Sequence, residues 1–161
     1  MLNDVISGHQ DSIWAIKHLR RLAKPPLVVT AGVQGEVSIW EGSTAVKTVQ
    51  TSTLGIVSIA VDPSPSQSSY FLTNTVDSTV TRYSHDGEKE ASIKLKPGHA
   101  WSLAVHPSSE YFATAGEGGI VRLLEASVKN FGKERGQLKA HGDFILSLAF
   151  VSAYTRGAML H

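Results

Sequence analysis

The sequence predicts an all-β fold made of repeated four-stranded units, and a recurring eight-residue pattern supports this prediction. The pattern reads Thr-Ala-Gly-Val-Gln-Gly-Glu-Val at 30–37, Thr-Asn-Thr-Val-Asp-Ser-Thr-Val at 73–80 and Thr-Ala-Gly-Glu-Gly-Gly-Ile-Val at 114–121. The three copies begin 43 and 41 residues apart. A period of about 40 to 45 residues is typical of four-stranded propeller blades. We therefore expect a β-propeller fragment with about three complete blades and the first strand of a fourth.

The first blade is expected to span about residues 8–50. Its strands are rich in apolar and β-branched residues, which favour extended structure, and Pro25 with Pro26 marks the loop after the inner strand. The strands are predicted at 13–16, 27–30, 36–40 and 45–50.

The second and third blades repeat this order over about 52–95 and 98–139. The second has predicted strands at 56–61, 70–75, 79–83 and 91–95, with a Pro/Ser loop at 62–69. The third has predicted strands at 101–105, 111–115, 120–124 and near 137–139. Short turns between the second and third strands of each blade predict hairpins.

A further blade is expected to begin at 141–150, where an apolar strand follows Asp143, and the tail at 151–161 resembles none of the repeats. Four small residues align in one column of the inner strands, at Ala15, Ser58, Ser102 and Ser147. Closed propeller rings have four to eight blades. We therefore expect a truncated gene model or a fragment; the alternative is a natural short form that a partner completes.

Composition narrows the possible functions. The 161 residues carry a formal net charge of +1, so no overall attraction to nucleic acid or anionic membranes is expected. The absence of cysteine excludes disulfides and thiolate metal sites. No histidine pair has the spacing of a zinc-protease motif. We expect no cofactor, no metal, no catalytic residue, no direct contact with nucleic acid and no membrane association.

The blades resemble WD repeats. Gly8-His9 corresponds to the Gly-His of that family, 38–41 (Ser-Ile-Trp-Glu) to its Trp-Asp ending, and the resemblance covers 8–150. It implies a buried network of His, Ser/Thr, Asp and Trp in each blade. The matching structural residues are His9, Trp40, Asp77 and His141, and no blade is expected to hold the complete network, because Gln34 and Gly118 occupy the Asp position in the other two.

Within the WD repeats, the segments 9–14, 100–116 and 142–150 are most similar to the WD-repeat subunit of the superkiller (Ski) complex. The resemblance implies a non-enzymatic scaffold that helps to couple a helicase to the cytoplasmic RNA exosome for 3′-to-5′ messenger RNA decay. Its protein partners would be helicase and repeat-scaffold subunits. It also implies nuclear roles, in the Paf transcription-elongation complex and in meiotic recombination, and hence a cytoplasmic and nuclear location.

The resemblance also implies a partner-binding rim where the inner strands begin. The rim residues come from three equivalent positions of the repeats. The first position directly precedes the small residue of each inner strand, and the second lies two residues before the first. The third directly precedes the Asp position of each hairpin turn. The rim residues are Trp14, Val57, Trp101, Leu146, Phe144, His99, Val33, Val76 and Glu117. The alternative for Trp14 and Trp101 is that they fill the core between blades.

Three alternatives to this function remain open from the sequence. A propeller can carry a hydrolase that uses centrally placed His and Asp residues, although the inner strands here hold mainly Ala, Ser and aliphatic residues. The chain can also be a WD-repeat adaptor unrelated to RNA decay. A truncated product without function would expose unpaired blade faces and would aggregate.

Overall fold

Three antiparallel sheets of four strands make up the fold. A computed structural model describes residues 8–151. Sheet 1 contains β1 (Ile13–Arg21), β2 (Lys24–Gly32), β3 (Glu36–Glu41) and β4 (Thr44–Gln50). Sheet 2 contains β5 (Ile56–Val61), β6 (Tyr70–Thr75), β7 (Thr79–Ser84) and β8 (Lys89–Lys94). Sheet 3 contains β9 (Ser102–Val105), β10 (Tyr111–Ala115), β11 (Ile120–Glu125) and β12 (Glu134–Lys139), with a 3₁₀ turn at Glu117–Gly119.

The strands of each sheet follow one another in chain order, and the register repeats from sheet to sheet. The second and third strands pair the same columns each time: Thr30 with Ser38, Thr73 with Thr81 and Thr114 with Arg122. The small residues of the inner strands are equally matched, with Ala15 opposite Ala31, Ser58 opposite Asn74 and Ser102 opposite Ala115. The all-β fold of three repeated units is confirmed.

The hairpin turn of each sheet anchors the chain that leaves its outer strand. The turn residues Gly35, Ser78 and Gly119 all have positive φ, at 76°, 65° and 66°. Their carbonyl groups accept backbone N–H bonds from the residues that follow the outer strands: Thr51 and Ser52, Leu95, and Ala140 with His141. Glycine is required at position 35, because a Cβ there would lie 2.3 Å from the Ser52 carbonyl oxygen.

Successive sheets bury their apolar faces against each other. Between sheets 1 and 2, Val29 and Ile39 pack against Ile59 and Phe71, and all four are at most 1% exposed. A second cluster lies between sheets 2 and 3 and contains Leu72, Val80, Leu103, Phe112 and Leu124, among others. Because β1 lies next to β5 and β5 next to β9, the inner strands gather on one side of the molecule.

The prediction of a loop at Pro25 and Pro26 is wrong. β1 continues to Arg21 and β2 begins at Lys24, so a tight turn at 22–23 joins them and both prolines lie within β2. The pairing is irregular between Leu19 and Arg21, opposite the prolines. This irregularity accommodates two residues that have no N–H to donate to a regular ladder.

The segment 141–150, predicted to begin a fourth blade with a strand, covers sheet 3 without forming a paired strand. Ile145 is buried against Ala113, Ala115 and Val121, and its N–H donates to the Gly116 carbonyl at 2.9 Å. A strand is defined by its hydrogen-bonded neighbour, and the described residues contain no hairpin partner for this segment. Its apolar residues nevertheless occupy the place that the next inner strand would take.

The face of sheet 1 that points away from sheet 2 is uncovered within the described residues. Ile13 and Ile16 are 51% and 65% exposed, whereas the equivalent Ile56 and Ile59 of sheet 2 are at most 1% exposed against sheet 1. These equivalent isoleucines are therefore buried where another sheet precedes their own and exposed where none does. In the described part of the chain, no helix has the length and hydrophobicity that a bilayer-spanning helix requires.

Replacing Phe71 by alanine tests the packing between sheets 1 and 2. Phe71 is 1% exposed and stacks on Tyr83 with ring centroids 5.3 Å apart. We expect Phe71→Ala to lower the free energy of unfolding by about 3–5 kcal/mol, measured by urea denaturation. The exposed Val46→Ala is the control and should change it by less than about 0.5 kcal/mol. Equal effects of the two changes would contradict this packing.

Candidate interaction site

A hydrogen-bonded network fixes the start of sheet 1. The Trp40 Nε1–H donates to Thr30 Oγ1 at 2.9 Å, and Thr30 Oγ1 lies 2.6 Å from His9 Nε2. The other ring nitrogen of His9, Nδ1, lies 2.6 Å from Glu36 Oε1. The Glu36 carboxylate is therefore an ion-pair neighbour of the His9 ring, but Nδ1 has no hydrogen-bond partner among the described residues. The hydrogen-bonded chain joins His9, Thr30 and Trp40.

Sheet 1 thus holds three side chains of the expected network, those of His9, Thr30 and Trp40, and no aspartate takes part in it. The sequence comparison placed the acid at the turn, where Gln34 stands. In the structure, the acidic residue beside His9 is Glu36, the first residue of β3. A carboxylate two residues after the expected position was the signal in the sequence.

Sheets 2 and 3 lack this network. Thr114, which is equivalent to Thr30, has a buried hydroxyl without a hydrogen-bond partner among the described residues. The side chain of His141 is exposed and forms no hydrogen bond within residues 8–151, although its backbone N–H donates to the Gly119 carbonyl. The hydrogen-bonded role expected for the His141 side chain is thus wrong, since the structure uses its backbone instead.

Asp77 organises the hairpin turn of sheet 2. Its carboxylate accepts hydrogen bonds from the Thr75 hydroxyl and the Thr79 N–H, and Lys94 Nζ lies 3.1 Å from it. These contacts, the Thr75 hydrogen bond first, lower the pKa of Asp77 from 3.8 to about 2. Hydrogen bonds to the ionised form favour ionisation, so the turn holds Asp77 charged.

Three of the predicted rim residues line one channel. Trp14, Val57 and Leu146 lie along a cavity of about 330 Å³, together with the first residues of the inner strands. Trp14 is 49% exposed and Leu146 is 70% exposed. The Trp14 ring also lies against Gly55 of the next sheet, because a Cβ on Gly55 would come within 3.5 Å of it. The inner strands thus bring these residues together at a common opening.

A second part of the rim is an exposed aromatic pair. The rings of Trp101 and Phe144 meet edge to face, with centroids 5.8 Å apart and planes at 77°. They are 37% and 38% exposed. Neither Trp14 nor Trp101 belongs to the three buried clusters, so the core position considered for them is not the one they occupy.

The remaining rim residues lie at the same end of the sheets. The N–H groups of Val33, Val76 and Glu117 donate to the carbonyl groups just before the inner strands, at Ser12, Gly55 and Gly98. His99 is half-buried beside them. Burial lowers its pKa, Arg122 and Lys96 lower it further, and Glu117 acts in the opposite direction. The neutral imidazole is therefore favoured at this edge of the rim.

A polar groove between sheets 2 and 3 was not anticipated from the sequence. The Tyr70 hydroxyl donates to the Ser109 carbonyl at 2.9 Å, and Arg82 lies 3.7 Å above the Tyr70 ring. Arg82 Nη1 also donates to the Ala126 carbonyl at 2.8 Å. Burial raises the pKa of the Tyr70 hydroxyl, with the Asp62 charge second. These contacts join two sheets, and residues 8–151 contain no cluster of three or more metal-ligating side chains.

Comparison with protein families finds one WD-repeat match within the chain. Residues 90–124 match the family described as WD domain, G-beta repeat. The match begins in β8 of sheet 2 and ends in β11 of sheet 3, so the sequence repeat is offset from the sheet by one strand. WD repeats generally form protein-interaction scaffolds that lack enzymatic activity. No curated protein matches the chain.

Replacing Thr30 by valine tests the sheet 1 network. The change keeps the side-chain shape but leaves the Trp40 indole N–H and His9 Nε2 without their shared partner. We expect the free energy of unfolding to fall by about 1–3 kcal/mol, measured by denaturant titration. The exposed Thr44→Val serves as control. If both variants were equally stable, the network would contribute nothing.

The pH dependence of stability tests the Asp77 turn. Because the folded pKa is lowered, this stabilisation is fully present above the unfolded pKa near 3.8 and is lost as the pH falls through about 2. The stability difference between wild type and Asp77→Asn should therefore shrink over that range. A carboxyl titration by NMR should show the midpoint of Asp77 rising in Thr75→Val. An unchanged midpoint would contradict the assigned cause.

Proposed function

We propose that this chain is a non-enzymatic scaffold that docks short partner segments on the rim where its inner strands begin. The observation that carries the proposal is the exposed edge-to-face pair of Trp101 and Phe144. Ser102, the residue after Trp101, and Leu146, two residues after Phe144, line the channel. Aromatic anchors beside a recess are the usual centres of binding energy in protein interfaces.

The geometry of the pair favours docking over folding stability as its role. Each ring already has one neighbour that limits its rotation, so little side-chain entropy remains to be lost when a partner covers it. More than a third of each residue, 37% of Trp101 and 38% of Phe144, remains open to solvent. Burial of that surface by a partner would be favourable, because it removes apolar area from water.

The finer proposal is a subunit of a superkiller-type complex that supports exosome-mediated 3′-to-5′ messenger RNA decay, in the cytoplasm, with further roles in the nucleus. It rests on the sequence resemblance, whose segments 100–116 and 142–150 include Trp101, Phe144 and Leu146. The partners would be a helicase and a repeat-scaffold subunit. A role in transcription elongation or meiotic recombination belongs to the same proposal.

The alternative of a propeller hydrolase gains no support from the channel. The described residues that line it include no carboxylate and no imidazole. An acid–base pair of the kind that hydrolysis requires would therefore have to come from another part of the molecule.

Alanine substitution at the aromatic pair tests rim docking. We expect Trp101→Ala and Phe144→Ala each to weaken partner capture by tenfold or more, which corresponds to about 1.4 kcal/mol or more. Leu138→Ala is the matched control, because Leu138 is a 59% exposed apolar residue on the outer strand β12. Capture would be measured by pull-down from lysate with quantitative mass spectrometry, after circular dichroism confirms the fold. Unchanged capture by both rim variants would contradict the proposal.

The same purification tests the finer assignment. A helicase and a repeat-scaffold subunit should co-purify with the wild-type chain and be depleted by the rim substitutions. If rim-dependent partners appear but do not include those subunits, docking remains and the superkiller assignment fails.

A further inference from the structure

We infer that two copies of this chain assemble head to tail, with the open face of sheet 1 in one copy packed on sheet 3 of the other. This surface is separate from the rim, so the inference goes beyond the proposed function. Each sheet has a front face, which points towards the preceding sheet, and a back face, which points towards the following sheet. Within the chain, front faces pack on back faces twice, between sheets 1 and 2 and between sheets 2 and 3.

The front face of sheet 1 is built like one that already packs on a sheet. The front face of sheet 2 is at most 4% exposed against sheet 1 and contains Ile56, Ile59, Phe71 and Tyr83. The residues 43 positions earlier in sheet 1 are Ile13, Ile16, Val28 and Trp40. These four line an apolar groove of about 230 Å³. The groove therefore lies where a back face would pack.

Sheet 3 carries a back face of the matching kind. The back face of sheet 1, which covers sheet 2, contains Val29, Val37 and Ile39. The residues with the same register in sheet 3 are Ala113, Val121 and Leu123, and they are also apolar. The two outer faces of one chain thus correspond, position by position, to the two halves of an interface that the chain already forms.

The segment 141–150 covers the back face of sheet 3 only in part. Ile145 is 6% exposed, Leu148 and Phe150 are half-buried, and the other residues of the segment are exposed. Because Ser147 aligns with the small residue of each inner strand, Ile145 and Leu148 are equivalent to residues 13 and 16. The segment therefore supplies one strand of the cover that a complete sheet would supply.

Sheet 1 of a second copy would replace this partial cover by a complete one. It would place Ile13 and Ile16 where Ile145 and Leu148 lie, and it would add Val28 and Trp40 from its next two strands. Burial of this additional apolar surface favours the exchange. Since Phe144 lies in the displaced segment, the dimer and the form that carries the Trp101–Phe144 pair are alternatives.

Two copies complete the exchange at both ends. The front face of each copy then meets the back face of the other, so the assembly has two-fold symmetry and leaves neither face open. It contains six sheets, a number found in closed propellers. We therefore expect a dimer and not a longer array.

Sedimentation equilibrium of the whole chain measures this assembly. We expect a species of twice the 17.3 kDa chain mass. Ile16→Lys, at a 65% exposed position, should weaken dimerisation by about tenfold or more, because it places an unpaired charge in the interface. Leu22→Lys is the matched control, at a 52% exposed position in the turn before β2, and should have no effect. Ile145→Ser should strengthen dimerisation, because it loosens the competing segment.

A mixture of two variants tests the head-to-tail arrangement. Leu123→Glu changes the back face and should be monomeric alone, as should Ile16→Lys. In an equimolar mixture, one of the two interfaces combines unmodified faces, so dimers should return. Circular dichroism checks the fold of each variant, and the milder Leu123→Thr replaces Leu123→Glu if the latter unfolds. A dimer that pairs two copies of sheet 1 would be unaffected by either change at Leu123.

A chain that stays monomeric at about 0.1 mM would overturn the inference, because even a weak interface is populated there. A dimer that Ile16→Lys does not weaken, or that Leu22→Lys weakens equally, would also overturn it. Rim docking is tested separately. If the chain is monomeric but captures partners through Trp101, the dimer fails and the proposed function remains; if it dimerises but Trp101→Ala and Phe144→Ala retain all partners, the reverse holds.

Discussion

Burial of one sheet face against the next is the interaction on which the remaining structure depends. Ile59 and Phe71 are almost completely buried because sheet 1 precedes sheet 2, and Leu103 and Phe112 are buried because sheet 2 precedes sheet 3. An isolated four-stranded sheet would expose both of its faces. Stacking in sequence therefore stabilises each sheet mainly through its neighbours, as in other repeat architectures.

Polar contacts then fix how the stacked sheets meet. Asn74 Nδ2 donates to the Ala100 carbonyl, and the Ala100 N–H donates to Ser78 Oγ at 3.2 Å, so sheet 2 holds both sides of the residue before Trp101. Apolar packing alone does not specify such a position. Since the inner strands gather on one side, their first residues form a common rim, and Trp101 is placed there by this contact.

The repeat period predicted much of this fold, because the pairing of strands follows from a pattern that recurs. The column of Ala15, Ser58 and Ser102 corresponds to equal register in three sheets. The tight turn before Pro25 was missed because proline usually ends a strand, whereas here an irregular pairing accepts it. Glu36 was missed because a carboxylate can reach His9 either from the hairpin turn, where Gln34 stands, or from the first residue of the following strand, where Glu36 stands. The sequence alone does not show which of these two positions lies next to the histidine.

The channel could not be predicted from the sequence, because it exists only when three inner strands and the segment after β12 come together. The rim residues could be proposed earlier because their columns repeat. Their exposure, which separates a docking surface from a core, required the structure.

Site-specific photo-crosslinking in cells tests rim docking most directly. A photoreactive phenylalanine analogue would replace Trp101 in one version of the chain and Leu138, on the outer strand, in another. Rim docking predicts defined crosslinked protein partners from position 101 and none in common from position 138. Identical crosslinks from both positions, or none from position 101 while partners still co-purify, would contradict it.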